Sequence, residues 1–188
     1  MLDRTTVTHT LGADIRALRK ARGVTLATLA AQLDRSVGWI SQVERDISEP
    51  SFTELQKIAA GLGVPVSLFF GQAAADPVEQ GYVVRNHARR HIGTGDGLTE
   101  ALLSPDLTDD FEMVHSTFAP GAELAEAVTR QTQEVGYMIS GNLTLWIGDR
   151  EFQLDPGDSF RIRGEPYRWA NRGQAPAVVI WAIAPPVY

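Results

Sequence analysis

The chain has 188 residues, with 17 Lys and Arg against 23 Asp and Glu, for a formal net charge of −6. It is long enough for one large or two small domains, and without a cysteine it can form no disulfide, thiolate zinc site or thiol nucleophile. It shows no N-terminal secretory core and no apolar run that could span a bilayer; a cytoplasmic protein is expected, beside the nucleoid in a bacterium, with no membrane partner. The charge is unevenly divided: residues 1–70 hold eight Lys and Arg and seven Asp and Glu, whereas 71–188 hold nine and sixteen. The acidic second part is poorly suited to nucleic acid, so a DNA-facing role falls to the first. Even that part is not strongly basic, which favours modest affinity per copy and two copies on a symmetric site.

Leu11, Ile15 and Leu18 give a first amphipathic helix, and Arg22-Gly23 ends it with a glycine suited to the left-handed position after a helix. Leu26, Leu29, Ala30 and Leu33 recur at i, i+3, i+4 and i+7, the buried face of a second helix. Asp34 and Arg35 break that pattern, and Ser36 then stands where the N-cap of a third helix belongs. In the third helix only Ile40 and Val43 fall on the inward face, which leaves Val37, Gly38, Trp39 and Gln42 pointing outward. A short helix that buries two residues and displays a mixed tip is built to touch something. After Glu49-Pro50-Ser51, a stripe of Leu55, Ile58, Ala59 and Leu62 marks a fourth helix, stopped by Gly63-Val64-Pro65. Val66, Leu68, Phe69 and Phe70 are expected to close the core.

With this spacing, the Ser36 cap, the segment 40–45 (ISQVER) and the Pro50 turn, residues 9–70 resemble the phage-repressor-like helix-turn-helix family, the XRE family. The resemblance implies that the third helix enters the major groove of double-stranded DNA, with Ser36, Val37, Gly38, Trp39 and Gln42 at the base edges. Gln42 has an amide suited to adenine, and Val37 offers methyl groups to thymine. Trp39 has two readings, against the DNA or over the seam between the second and third helices. Thr25 begins the second helix, where its hydroxyl and nearby amides suit a phosphate. The resemblance also implies a pairing of Arg19 with Glu44. One departure stands out: the turn after the reading helix usually carries glycine and basic residues, but here it reads Arg45-Asp46-Ile47-Ser48-Glu49. Two acidic residues near the phosphate path weaken non-specific affinity without forbidding binding.

Residues 71–77 lack a periodic apolar face and read as part of a linker over 71–81. Beyond Tyr82-Val83-Val84 the pattern becomes short strands at 111–118, 136–140, 143–147, 151–154, 159–162, 167–170 and 178–183, as in a sandwich or barrel. The run Gly93-Thr94-Gly95-Asp96-Gly97 reads as a flexible loop, not a phosphate cradle, since it opens no helix.

Ala119-Pro120-Gly121, residues 134–141, the Pro156-Gly157-Asp158 turn within 154–160, and Asn171 resemble the two motifs of the cupin barrel. Ala184-Pro185-Pro186 is similar to the tail of regulators that join this barrel to a repressor-like head. Metal-binding cupins use three histidines and a glutamate. In register with Glu134 and Asn171, the histidine positions here are Val128, Arg130 and Tyr167, so only Glu134 survives. No metal and no other cofactor is expected: one carboxylate cannot hold a transition metal, and an adjacent arginine opposes one. His115 is a poor substitute, and His87 and His91 read as surface residues in an Arg-rich stretch. The resemblance instead implies that Arg130, Glu134 and Tyr167 converge in the barrel, with Met138 and Trp169 sharing their inward parity, as a small-molecule site. The alternative is a filled barrel in which Arg130 and Glu134 satisfy each other.

The fold expected is therefore a two-domain α + β chain: an all-α, lambda-repressor-like helix-turn-helix bundle at 1–70, a linker at 71–81, and an all-β cupin jelly-roll barrel at 82–188. The function expected is that of a non-enzymatic, homodimeric transcriptional regulator on a palindromic operator, with a small-molecule effector in the barrel. Two other readings stand beside it: a metal-dependent cupin enzyme with a vestigial head, and a constitutive DNA-binding protein with a purely structural barrel. Neither the operator sequence, the effector nor the sign of regulation is legible.

Overall fold

Four helices form where local sequence caps them. In the computed structural model, which describes residues 10–70, 78–79, 81–95, 97–105, 107 and 109–187, these are α1 (Leu11–Ala21), α2 (Leu26–Leu33), α3 (Val37–Val43) and α4 (Phe52–Leu62). Thr10, Thr25, Ser36 and Ser51 are their N-caps, each accepting a backbone N–H three residues on, and Ser51 forms a full capping box with Glu54. Such a cap contributes about 1 kcal/mol. Asp34 and Gly63 end α2 and α4 in the left-handed conformation. A 3₁₀ turn, Val66–Phe69, brings Leu68 under the bundle, where Ile15, Leu18, Leu29, Ile40 and Ile58 are also fully buried. Each such side chain gains roughly 1.5–3 kcal/mol from leaving water.

Two contacts tie α1 to the far end of α3. The Arg19 guanidinium donates through Nε to Glu44 Oε1 at 2.5 Å and through Nη2 to Oε2 at 3.0 Å, and through Nη1 to the Val24 carbonyl at 2.9 Å. Asp46 adopts a left-handed backbone (φ 56°) just past α3, and its carboxylate accepts from the Gly12 amide at 2.9 Å and from the Thr10 hydroxyl. The acidic residue that departs from the family turn is thus used to cap α1. A glycine is required at 12, because a Cβ there would lie 2.3 Å from the Val43 carbonyl oxygen.

Among the described residues the strands are β1 (His91–Gly95), β2 (Leu98–Leu102), β3 (Glu112–Phe118), β4 (Gln133–Ser140), β5 (Leu143–Ile147), β6 (Arg150–Leu154), β7 (Ser159–Arg163), β8 (Tyr167–Ala170) and β9 (Ala177–Ala184). They make an antiparallel six-stranded sheet in the order β1-β2-β3-β9-β4-β7 and a three-stranded sheet β6-β5-β8. Inward residues of both sheets form one core, with Phe118 of β3 edge-on to Trp169 of β8 at 4.6 Å and Phe160 edge-on to Trp181 at 5.1 Å. Gly136 leaves the room for Phe160, whose ring would lie 2.2 Å from a Cβ at that position.

The chain divides into two units, one running to Arg90 and including Pro105–Asp109, the other comprising His91–Ser104 and Asp110–Val187. Residues 81–90 hold no strand, and Arg90 pairs with Asp14 of α1 at 2.5 Å within the first unit. Most of the 71–81 segment read as a linker, residues 71–77 and 80, lies outside the described residues. One expectation is corrected. Gly93, Thr94 and Gly95, read as loop, belong to β1, and Gly95 pairs with Leu98 across a connection whose sequence is Asp-Gly, the pair favoured in two-residue hairpins. Asp96 itself lies outside the described residues.

Gly12→Ala is expected to cost about 1–3 kcal/mol through overpacking against the Val43 carbonyl, seen as a lower unfolding temperature by circular dichroism. Gly38→Ala, whose methyl would meet only Ser36 Oγ at 3.9 Å, should hold or raise it. Equal losses in the two variants would contradict this account of Gly12.

Candidate functional site

The outward side of α3 carries the residues named from sequence. Val37 is 46% exposed, and Ser36, Gly38 and Gln42 are exposed as well. Ser36 accepts from the Trp39 amide at 3.1 Å, and its own O–H remains available as a donor. Thr25 is similarly engaged: it accepts from the Thr28 amide at 3.0 Å and shares a hydrogen bond with the Thr28 hydroxyl at 2.8 Å. Trp39 is half-buried and lines an open surface depression together with Ala30 and Ala31 of α2 and Asp34, its C-cap, so both readings of the indole stay open. The Arg35 guanidinium stands 5.2 Å from the centre of that ring and pairs with Glu54 at 2.5 Å. Gln42 is not free-swinging, because its Oε1 accepts from the Ser48 hydroxyl at 3.1 Å.

Inside the barrel lies a cavity of about 130 Å³. Its polar groups are Arg130, Glu134 of β4, Tyr167 of β8 and Glu100 of β2; Trp169, Trp181, Phe118 and aliphatic side chains form the rest of the wall. Four of the five residues named for this pocket therefore meet at one space. Met138 does not. It is fully buried in the core and absent from the cavity wall. Its parity is inward as expected, but the row between it and Glu134 is taken by Gly136 facing Trp181 and Phe160, and that ring pair fills the layer.

Residues 15–69 match the helix-turn-helix family model, and residues 114–183 match the cupin domain model. The chain is an XRE-type helix-turn-helix regulator with a cupin domain. The HTH-type transcriptional regulator PuuR of Escherichia coli K12 is 25% identical over 181 residues, which is 94% of this chain and 96% of that protein. The regulator SutR of the same organism is 38% identical over 80 residues, 39% of this chain and 45% of its own. Among solved structures, KdgF from Halomonas sp. shares the barrel fold, with a TM-score of 0.50 and 20% identity over 57% of this chain and 96% of that one.

The metal set of metal-binding cupins does not fit this regulator. Val128 and Tyr167 face each other across a backbone bridge, Arg130 brings a positive charge, and burial pushes the Tyr167 phenol up to about 12, which keeps it protonated at neutral pH. His115 lies on β3 between the inward-facing Val114 and Ser116 and so takes the opposite face, while His87 and His91 are exposed. Among the described residues, no group of three or more His, Cys, Asp or Glu side chains is placed to hold a metal ion.

Two carboxylates were missed from sequence. Glu100 accepts from the Ser116 hydroxyl at 2.8 Å and belongs to β2, a strand the pattern did not reveal. Glu112 opens β3 with inward parity, and the alternation Glu112, Val114, Ser116, Phe118 was the available signal. Glu134 is 2% exposed and accepts from the Thr132 hydroxyl at 2.6 Å. Arg130 makes no ion pair with it among the described residues. Glu112 is 1% exposed; its Oε1 accepts from the Val187 amide at 3.0 Å, and its Oε2 has no hydrogen-bond partner among the described residues. Burial pushes its pKa up to about 7, a rise that Arg130 opposes and that Glu100 and Glu134 reinforce.

A raised folded-state pKa means that Glu112 favours folding most while it is protonated. Its contribution is full below the ordinary 4.5 and is lost as pH rises to about 7, a swing on the order of 3 kcal/mol. Glu112→Gln keeps an acceptor for Val187 and should raise the unfolding temperature at pH 8 while narrowing the gap between pH 5 and pH 8. An unchanged gap would contradict the assignment.

Proposed function

We propose that this regulator is a homodimer that reads a palindromic operator with the α3 tip and senses a small metabolite in the barrel cavity, with no metal cofactor, in the bacterial cytoplasm at the nucleoid. In this reading Ser36, Val37, Gly38, Trp39 and Gln42 meet base edges, and Thr25, with the amides at the start of α2, faces a phosphate. A seven-residue reading helix on a head of near-neutral charge makes few contacts, so two heads on half-sites one helical turn apart supply the affinity and the symmetry. The effector acts by binding one arrangement of the paired heads better than another.

The observation that carries the sensor reading is the cavity itself. Arg130, Glu134, Tyr167 and Glu100 converge on open space, and Arg130 is not neutralised by Glu134 as it would be in a filled barrel. A catalytic cupin is disfavoured because the metal-binding positions are occupied by Val128, Arg130 and Tyr167.

Gln42→Ala should cost on the order of 1–3 kcal/mol on the preferred DNA and leave random DNA unaffected, as read by fluorescence anisotropy. Equal loss on both would remove Gln42 from base reading. A metabolite that raises the unfolding temperature of the wild type should fail to do so with Arg130→Ala, which retains DNA binding; a normal shift in that variant excludes Arg130 from the pocket's chemistry.

A further inference from the structure

The turn that follows α3 wraps back onto the reading side chain. The Gln42 carbonyl accepts from the amides of Arg45, Ile47 and Ser48 at 3.2, 2.9 and 3.4 Å, which folds Ser48 over the end of the helix. Ser48 is half-buried there, and its hydroxyl reaches Gln42 Oε1 at 3.1 Å. The turn is itself anchored. Asp46 makes the left-handed bend, its amide donates to the Val43 carbonyl at 2.9 Å, and its carboxylate holds the Gly12 amide and the Thr10 hydroxyl at the start of α1. A line of hydrogen bonds thus runs from α1 through Asp46 and the turn to the exposed amide of Gln42.

From this geometry we infer that Ser48 is a positioning residue for DNA reading: it pins the Gln42 side chain so that its amide is already aimed when the helix meets a base pair. An exposed glutamine has three rotatable bonds, and ordering them at the interface weakens binding; a hydroxyl that holds the amide beforehand removes part of that loss and sharpens the preference for one base. The hydroxyl can donate to the amide oxygen or accept from the amide nitrogen, so the pin holds in either orientation. The Asp46-Ile47-Ser48 segment, which departs from the basic turn of the family, is in this account what sets the reader's aim. The inference rests on Gln42 being a base reader.

The test is selection from a randomised double-stranded DNA library with the full-length wild type, Gln42→Ala, Ser48→Ala and Ser48→Thr, followed by thermal unfolding of each. The expected result is a wild-type motif in which Gln42→Ala flattens one base pair per half-site. Ser48→Ala should weaken preference at that same pair about three- to tenfold, leave other positions unchanged, and be rescued by Ser48→Thr. If Ser48→Ala keeps the full wild-type preference while Gln42→Ala flattens it, the positioning role is wrong and base reading by Gln42 stands. If Ser48→Ala weakens every position evenly and lowers the unfolding temperature, its role is only structural and the inference fails. If Gln42→Ala leaves the motif unchanged, the reader assignment fails and the inference with it.

Discussion

The forked contact between Arg19 and Glu44 is the constraint on which the DNA-binding unit depends. A helix of seven residues is far below the length at which helices persist by themselves, so α3 exists only because it is clamped from outside. Glu44 fixes its C-terminal end to α1, Ser36 caps its N-terminal end, and Ile40 and Val43 press it onto the bundle. With side-chain exposures of 11% and 5%, the pair is largely removed from solvent, and loss of either partner would leave a stranded charge at a cost of about 3–5 kcal/mol. The arrangement spends all its anchors on the inward side and the two ends. The outward tip is thereby left open for contact, and the same turn that closes the helix holds Gln42 in place.

The barrel answers a different demand. Its sheets bury an apolar core around Phe118, Trp169 and Trp181, yet Glu112 and Glu134 are almost fully buried within the same unit. Carboxylates in such surroundings weaken a fold unless something offsets them, and here one hydroxyl or one amide apiece does only part of that. Glu112 meets the demand by holding its proton to about pH 7. Glu134 carries that cost on the wall of an open cavity, which recognition explains better than packing. That is why the sensor reading is preferred to a purely structural barrel.

Much of this was legible in the sequence because the signals were local. The four helices, the cap at Ser36, and the glycine stops follow from spacing and capping chemistry within a few residues, and seven strands follow from alternation; the cap at Thr25 came only from the structure. What escaped depended on neighbours distant in sequence. Gly12 is needed because of the Val43 carbonyl, Asp46 is explained by the α1 amide it caps, and Ser48 matters through Gln42, contacts spanning 31, 34 and 6 positions. The β1–β2 hairpin was hidden by its glycines and sparse apolar residues, and Glu100 was lost with it. For Met138 parity was right, but parity says which side of a strand faces inward and not how deep each layer lies; the Phe160–Trp181 pair decides that.

The proposed role of the cupin domain, a metal-free sensor of an organic metabolite that serves the DNA-binding head, stands or falls on what the purified protein carries. Native mass spectrometry of the full-length protein, followed by mild denaturation to release whatever is bound, tests it most directly. A dimer carrying a small organic molecule and no metal is expected. A stoichiometric metal ion would contradict it, by showing that the positions of Val128, Arg130 and Tyr167 do not prevent coordination at Glu134.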